Sequence, residues 1–493
     1  MLEHAQRSRR LVLFFALLVS YAYFYEAGGW NQNSRFDLVR AIVQRHRLRI
    51  DPFHENTGDK AYYRGHYYSD KAPGLALAAL PVVAVESAVL RTLGVDPESP
   101  RGIVALTYIA TVAVDGVPTA AAAVCLSLIA VALFGNQAGA TFAALSFGLA
   151  TPAWAYATLF FGHALATACL LLAFGAAVAV PRLTMTRARI GCAFLVGIAA
   201  GWATVTEYTV AVPAVLITAL VVANEQSARR EDRLAVMGAL FAGATICAGV
   251  LAWYNLSAFR SPFSLSYANE ASFGEMKTGL FGISYPKPAI VVELLVGAYR
   301  GLLPLAPVLV FAPVGFWIWF RTSADRKPLA VAASIPVYYL LLNSSYFYWE
   351  GGWSYGPRQM APALPFLALA LAPVWNATGR PGRFVLAAIC ACGIGITLIA
   401  VSVTPQPPSI YDRPFRQLWW PAFLDGDLSL NHESFETAAW DPRLVRNHPE
   451  AHEAWNLGER LGLRGRTSLV PLLAAWTLGA AWWVRGNLRR RVT

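Results

Sequence analysis

Apolar residues run along this chain in blocks of roughly 15 to 30, with shorter polar stretches between them. A block of that length crosses the hydrocarbon of a bilayer as a helix. Twelve such blocks are predicted as transmembrane helices: Leu11–Tyr25, Gly102–Phe134, Ala138–Trp154, Leu159–Val180, Ile190–Thr206, Tyr208–Ala223, Leu234–Tyr254, Leu302–Phe320, Pro328–Tyr346, Ala361–Trp375, Phe384–Thr404 and Thr467–Val484. The first follows a basic segment, Met1 to Arg10, with no small-residue cleavage site after it, so it is expected to be retained. The expected fold class is an all-α polytopic membrane protein of about twelve transmembrane helices.

One further apolar stretch, Ala72 to Leu90, carries Pro81 and Glu86. If it spans, the later Arg-rich loops fall on opposite faces. If it lies in the interface or re-enters, every short basic loop shares one face, and that arrangement is adopted. The inner segments then hold 18 bases against 5 acids, whereas the outer loops hold 22 of each. This split is what the positive-inside rule requires. It implies an integral inner or plasma membrane protein with both termini cytoplasmic. Four polar segments face outward: Glu26–Arg101, about Asn255–Gly301, Ser345–Arg358 and Pro405–Arg466. The expected organisation is a transmembrane catalytic domain over 1–404, which includes the outer loop 26–101. An extracytoplasmic cap follows over 405–466, then a last helix with a basic cytoplasmic tail over 467–493. Function concentrates in long loops, so the chemistry is expected outside the cytoplasm.

Composition narrows the class. With 56% apolar and only 14% charged residues, neither a soluble enzyme nor a disordered chain fits. The net charge of +11 reads as an orientation signal rather than a nucleic-acid patch. All six cysteines fall in apolar runs, which leaves no disulfide framework and no zinc spacing.

The first outer loop holds two of the chain's five lysines, Lys60 and Lys71, each directly after an aspartate, Asp59 and Asp70. Arginine is used seven times as often, so these lysines stand out. An ammonium beside an apolar run is placed to meet a lipid phosphate at headgroup depth. The bland alternative is a surface ion pair before the Pro73-Gly74 turn.

Two motifs of this loop, Gln32-Asn33-Ser34-Arg35-Phe36 and Tyr68-Ser69-Asp70-Lys71-Ala72-Pro73, stand in order after the first helix. They resemble motifs of the GT-C superfamily of membrane glycosyltransferases, in its protein mannosyltransferase and lipid A aminoarabinose transferase branch (glycosyltransferase family 39-like). The hairpin around Thr151–Tyr156, ahead of His163, is similar too. The resemblance covers about the first 220 residues. It implies a polyprenyl-phosphate-sugar donor, and a glycan, lipid or protein acceptor outside the cytoplasm. The family's catalytic acid falls in the first motif, where this chain has the amides Gln32 and Asn33. An amide is no base at neutral pH. The candidate carboxylates are therefore Asp70, Glu26 and Asp59, with Asp70 favoured for its place beside Lys71.

Lys71, Arg300, Arg358 and Arg35 are the candidate ligands of the donor phosphate. Arg300 could equally be a snorkelling side chain. The Asn343–Arg358 segment is rich in aromatics and glycine and holds Glu350, Trp353 and Tyr355. Aromatic faces with a few polar groups suit a sugar, and they also suit a belt at the bilayer surface. His66, Tyr68, Glu207 and Tyr208 complete the substrate-binding candidates. Asp115 and Glu293 lie in or beside apolar runs. Asp425 and Asp427 resemble a calcium pair without EF-hand spacing. No cofactor is firmly implied; a divalent cation fits the resemblance without being required. The reading is a glycosyltransferase. The alternative is a non-enzymatic carrier or flippase of a lipid-linked sugar, which would show a polar path across the bilayer instead of one outer cavity.

Overall fold

The computed structural model describes residues 2–225, 229–436, 446–448 and 451–488. Each predicted apolar run is mostly helical. By length and composition, eight helices among the described residues can cross a membrane: Gly74–Thr92, Pro100–Phe134, Gly162–Arg182, Thr186–Thr206, Arg230–Phe259, Lys327–Ser345, Arg358–Ala377 and Arg380–Val403. Tyr208–Asn224 and Pro307–Thr322 are apolar but shorter. Seven of these eight fall on the twelve predicted runs; Gly74–Thr92 was not among them. Proline explains part of the difference. The run Leu302–Phe320 breaks at Pro304 and Pro307 into a short helix, a 3-10 turn and the helix Ala312–Thr322, because each proline lacks an N–H for the helical ladder.

The stretch Ala72 to Leu90 keeps both ends at the polar end of the bundle: Lys71 before it lies in the first polar segment, and Glu98 just beyond it pairs with Arg45 of that segment (2.6 Å). It is one unbroken helix, Gly74–Thr92, long and apolar enough to span, with Pro81 inside it. One proline removes one backbone bond and bends a helix; without a loop it does not turn the chain back.

The four polar segments assemble at one end of the bundle. Phe24–Tyr25 pairs antiparallel with Trp455–Asn456, which joins the first segment to the last. Lys60–Tyr63 and His66–Ser69 form a hairpin whose turn residues, Arg64 and Gly65, both have positive φ (50° and 84°), the condition for a tight two-residue turn. Ala271 N donates to Lys60 O (3.0 Å) and Ser272 Oγ to Gly58 O (2.6 Å), which docks the second segment on the hairpin.

The helix Trp30–Arg45 is polar yet buried from Asn31 to Ala41. Buried polar groups need partners, and this helix finds them on several sides. Gln32 Nε2 donates to Gln406 Oε1 (2.7 Å), Asn33 Nδ2 to Asn56 O (2.8 Å) and Ser434 O (3.0 Å), and Asn56 Nδ2 to Asp37 Oδ1 (3.1 Å). The helix is the hub on which the polar segments are mounted. Trp440, Asp441 and the basic tail Arg489–Arg491 lie outside the described residues.

Candidate active site

The polar segments enclose a cavity of about 310 Å³. Asp70 and Lys71 sit between the hairpin strand His66–Ser69 and the helix Gly74–Thr92, so both flanks fix them. Lys71 Nζ lies 2.8 Å from Asp70 Oδ2 and 3.0 Å from Asp59 Oδ2. Ser34 Oγ donates to Asp70 Oδ1 (3.2 Å). Burial opposes the charge of Lys71, but Asp59 and Asp70 outweigh it, and the pKa of the ammonium is raised.

Ser266 Oγ donates to the backbone carbonyl of Asp70 and brings the second outer segment over it. Glu270 then comes within hydrogen-bonding reach of the Asp70 carboxyl. Glu270 Oε1 accepts from Ser272 N (2.6 Å) and Phe273 N (3.3 Å), while no donor meets the buried Oε2. Burial, and then the charge of Asp70, push the Glu270 carboxyl up to about 8. Burial raises Asp70 as well, against the pull of Lys71. Two touching carboxyls away from water hold one proton between them.

A second cluster forms the floor. Arg35 Nη2 lies 2.6 Å from Glu207 Oε1, its Nε donates to Asn31 Oδ1 (3.0 Å) and its Nη1 to Ala72 O (3.3 Å). His163 Nδ1 lies 3.3 Å from the same Glu207 oxygen. Gly162 makes room for this pair, since a Cβ there would stand 2.4 Å from Glu207 Oε1.

Arg358 differs from the other two cations of the cavity. Its guanidinium lies 6.0 Å from the ring centres of Phe161 and Tyr348, and among the described residues it makes no ion pair. Around the cavity, Asn343 Nδ2 and Oδ1, Gln359 Oε1, His163 Nε2 and Glu270 Oε2 are buried without a hydrogen-bond partner. Buried polar atoms need partners, and five that lack one among the described residues gather at this cavity. The remaining wall is apolar: Leu265, Met276, Leu280, Phe281, Ile283 and Leu342.

Of the residues singled out in the sequence, Asp59, Asp70, Lys71, Arg35, Arg358, Glu207 and Tyr208 line this cavity. Trp353 lines a smaller chamber beside it. The others lie elsewhere. Glu26 is buried outside the cavity, its backbone carbonyl accepts from Asn431 Nδ2 (2.6 Å), and burial lifts its carboxyl well above the usual range. His66 pairs with Asp51 (2.9 Å), and Tyr68 packs on Phe259 on the far side of the hairpin. Tyr355 is fully buried against Trp419. Glu350 meets the site only through its backbone, whose carbonyl accepts from Arg300 Nε (3.1 Å). Arg300 itself is a clamp. It is 0% exposed, and its other nitrogens donate to Ser354 O (2.8 Å), Gly352 O (2.5 Å) and the Tyr299 hydroxyl (3.2 Å). Four of its five N–H donors are thus spent inside the protein, and it lines neither this cavity nor the smaller chamber. Arg300→Ala is expected to strip three carbonyls of their partner and lower stability by about 3 kcal/mol or more, read as a fall in the unfolding temperature in detergent.

Asp115 is fully buried in the π-turn Val112–Gly116, and Glu293 is exposed; neither lines the cavity. Asp425 and Asp427 are bridged by Arg446. Among the described residues no group of His, Cys, Asp or Glu is spaced to hold a metal ion; between Asp59 and Asp70 the cation is Lys71. Sequence reasoning missed Glu270, Asn343, Gln359 and, as a site residue, His163. Only the Asn343–Arg358 segment carried a signal, its density of aromatics beside glycines.

No protein-family model and no curated protein matches the sequence. Solved structures do. ArnT from Cupriavidus metallidurans bound to undecaprenyl phosphate matches with a TM-score of 0.53 at 15% identity, over 84% of this chain and 70% of its own. The apo state of the same enzyme gives 0.52 with equal identity and coverage. The oligosaccharyltransferase of Archaeoglobus fulgidus in the apo form gives 0.52 at 13% identity, over 82% of this chain and 57% of its own. The likeness shows the fold: over most of its length the chain folds as these two proteins, both of the GT-C superfamily, do.

Proposed function

We propose that the protein is a membrane glycosyltransferase that moves a sugar from a polyprenyl-phosphate donor to a hydroxyl of an acceptor outside the cytoplasm. The carrying observation is that one cavity joins an apolar wall, a cation without a carboxylate partner and a cluster of carboxyls with unsatisfied polar atoms. The apolar wall suits the prenyl chain, Arg358 suits the phosphate, and Asp70 with Glu270 suits the base. The acceptor oxygen forms a bond to the anomeric carbon as its proton passes to the carboxyl pair. The bond from that carbon to the phosphate oxygen breaks on the opposite face, with inversion. Its electron pair leaves with the polyprenyl phosphate, where Arg358 meets the growing charge. Lys71 bridges Asp59 and Asp70, and Arg35 with Glu207 holds the floor. The polar groups cluster at one end of the bundle, which favours a transferase over a carrier. In the orientation proposed from the loop charges, that end is extracytoplasmic and both termini are cytoplasmic.

The test is transfer from radiolabelled polyprenyl-phosphate sugars to cell-envelope acceptors by the purified protein. Transfer supports the reading; binding of the donor lipid without transfer from any sugar would turn it to a carrier. The pH profile carries its own expectation. The pair holds its shared proton below about pH 8 and loses it above, so kcat/KM rises with pH and levels off above about 8. A profile flat from pH 6 to 9 would remove the pair from the base role.

A further inference from the structure

The smaller chamber, of about 100 Å³, shares a wall with the main cavity: Asn31, Asp59, Phe273, Tyr348 and Arg358 line both. Beyond that wall the linings diverge. The main cavity is largely apolar, whereas the side chamber presents the rings of Trp30 and Trp353, the amides of Gln32 and Gln406, and the carboxylate of Glu433. The two amides are held in place. Gln32 Nε2 donates to Gln406 Oε1 (2.7 Å), and both Nε2 atoms donate to Gly28 O (3.3 and 3.2 Å). Glu433 is 5% exposed, makes no ion pair among the described residues, and is lifted by burial to about 7.

This lining selects a chemistry. A pyranose ring has apolar C–H faces for the indoles and hydroxyl edges for the amides and the carboxylate. An acyl chain in the same place would leave Glu433 and the amides facing hydrocarbon, at a cost for each unpaired group. The chamber also ends at the right point, because Asp59 in the shared wall is joined through Lys71 to Asp70.

We propose that this side chamber is the acceptor site, that it takes a carbohydrate ring, and that Glu433 accepts a hydrogen bond from one of the ring hydroxyls. The inference rests on the glycosyltransferase reading above and names its acceptor class. It also gives the last polar segment a role, since Gln406, Ser409 and Glu433 of that segment build the chamber's outer side.

The experiment is saturation-transfer NMR on the full-length protein in nanodiscs loaded with undecaprenyl phosphate. The probes are the methyl α-glycosides of glucose, mannose and galactose, their disaccharides, a serine-containing peptide and a short-chain diacyl lipid. Binding of undecaprenyl phosphate is measured separately. At least one saccharide is expected to take up saturation. Glu433→Gln is expected to weaken its affinity, or to raise its KM as acceptor, by about tenfold or more, the value of a hydrogen bond to a charged group. Trp353→Leu is expected to weaken it as well. Affinity for undecaprenyl phosphate should stay unchanged in both variants, which also shows that they are folded. A saccharide that binds both variants as well as it binds wild type would overturn the site. Saturation of the peptide or the lipid alone would overturn the acceptor class, as would silence from every saccharide while undecaprenyl phosphate binds. Failure of wild type to bind undecaprenyl phosphate would instead overturn the donor reading itself.

Discussion

Asp70→Asn and Glu270→Gln are each expected to lower sugar transfer by about 10²- to 10⁴-fold, the span covered by removal of a positioned general base. The expectation follows from their shared position. Glu270 Oε2 is buried with no donor, and it lies within reach of an Asp70 carboxyl that Ser34 and Lys71 already orient. Neither residue needs to touch the prenyl chain, so affinity for undecaprenyl phosphate is expected to survive both changes. The double variant is expected to be about as slow as either single one, because groups that act on one proton do not add. Single-turnover transfer from a radiolabelled donor, beside donor binding, separates the cases. Transfer that survives Glu270→Gln but not Asp70→Asn would leave Asp70 acting alone. Transfer that survives both would move the base to Asp59, the remaining carboxylate beside Lys71.

The sequence discloses the helices better than the site, for a physical reason. A helix in a bilayer satisfies its own backbone and needs only an apolar run, so each run could be read locally. Length alone would have Ala72–Leu90 cross the bilayer; charge balance across the loops kept it at the polar end, where Glu98 just beyond it pairs with Arg45. Asp70 and Lys71 were legible because a charged pair directly before an apolar run is costly unless it has a use. Arg300 looked equally available, yet the carbonyls of Glu350, Gly352 and Ser354 hold it at 0% exposure away from the cavity. Backbone partners leave no trace in a residue pattern. Glu270 was illegible for a related reason: its significance is contact with Asp70, which only the docking of Ser266 on the hairpin creates. Gln32 and Asn33 read as a missing acid. In the structure they cross-link the first polar segment to the last, through Gln406 and Ser434. The candidate base is then sought after the hairpin, at Asp70.

Arg358→Ala is expected to lower the rate constant for transfer by about 10²- to 10³-fold, the usual effect of removing one donor from a developing oxyanion. A polyprenyl phosphosugar carries one negative charge at its phosphate, and the departing polyprenyl phosphate carries a second. A cation at that oxygen therefore acts more strongly in the transition state than in the bound donor. The rate constant should fall by more than the affinity for undecaprenyl phosphate. The fold should tolerate the change, because Arg358 rests on the rings of Phe161 and Tyr348 and makes no ion pair among the described residues. Arg358→Lys is expected to recover only part of the rate, since an ammonium offers a point charge in place of a planar fork. Lys71→Ala serves as the contrast. It strands Asp59 and Asp70 as buried, unpaired charges, a loss of about 3–5 kcal/mol for a pair so broken, and so lowers stability together with activity. If Arg358→Ala transfers at the wild-type rate while Lys71→Ala stays folded and loses donor binding, the phosphate belongs to Lys71, and the two cations exchange roles.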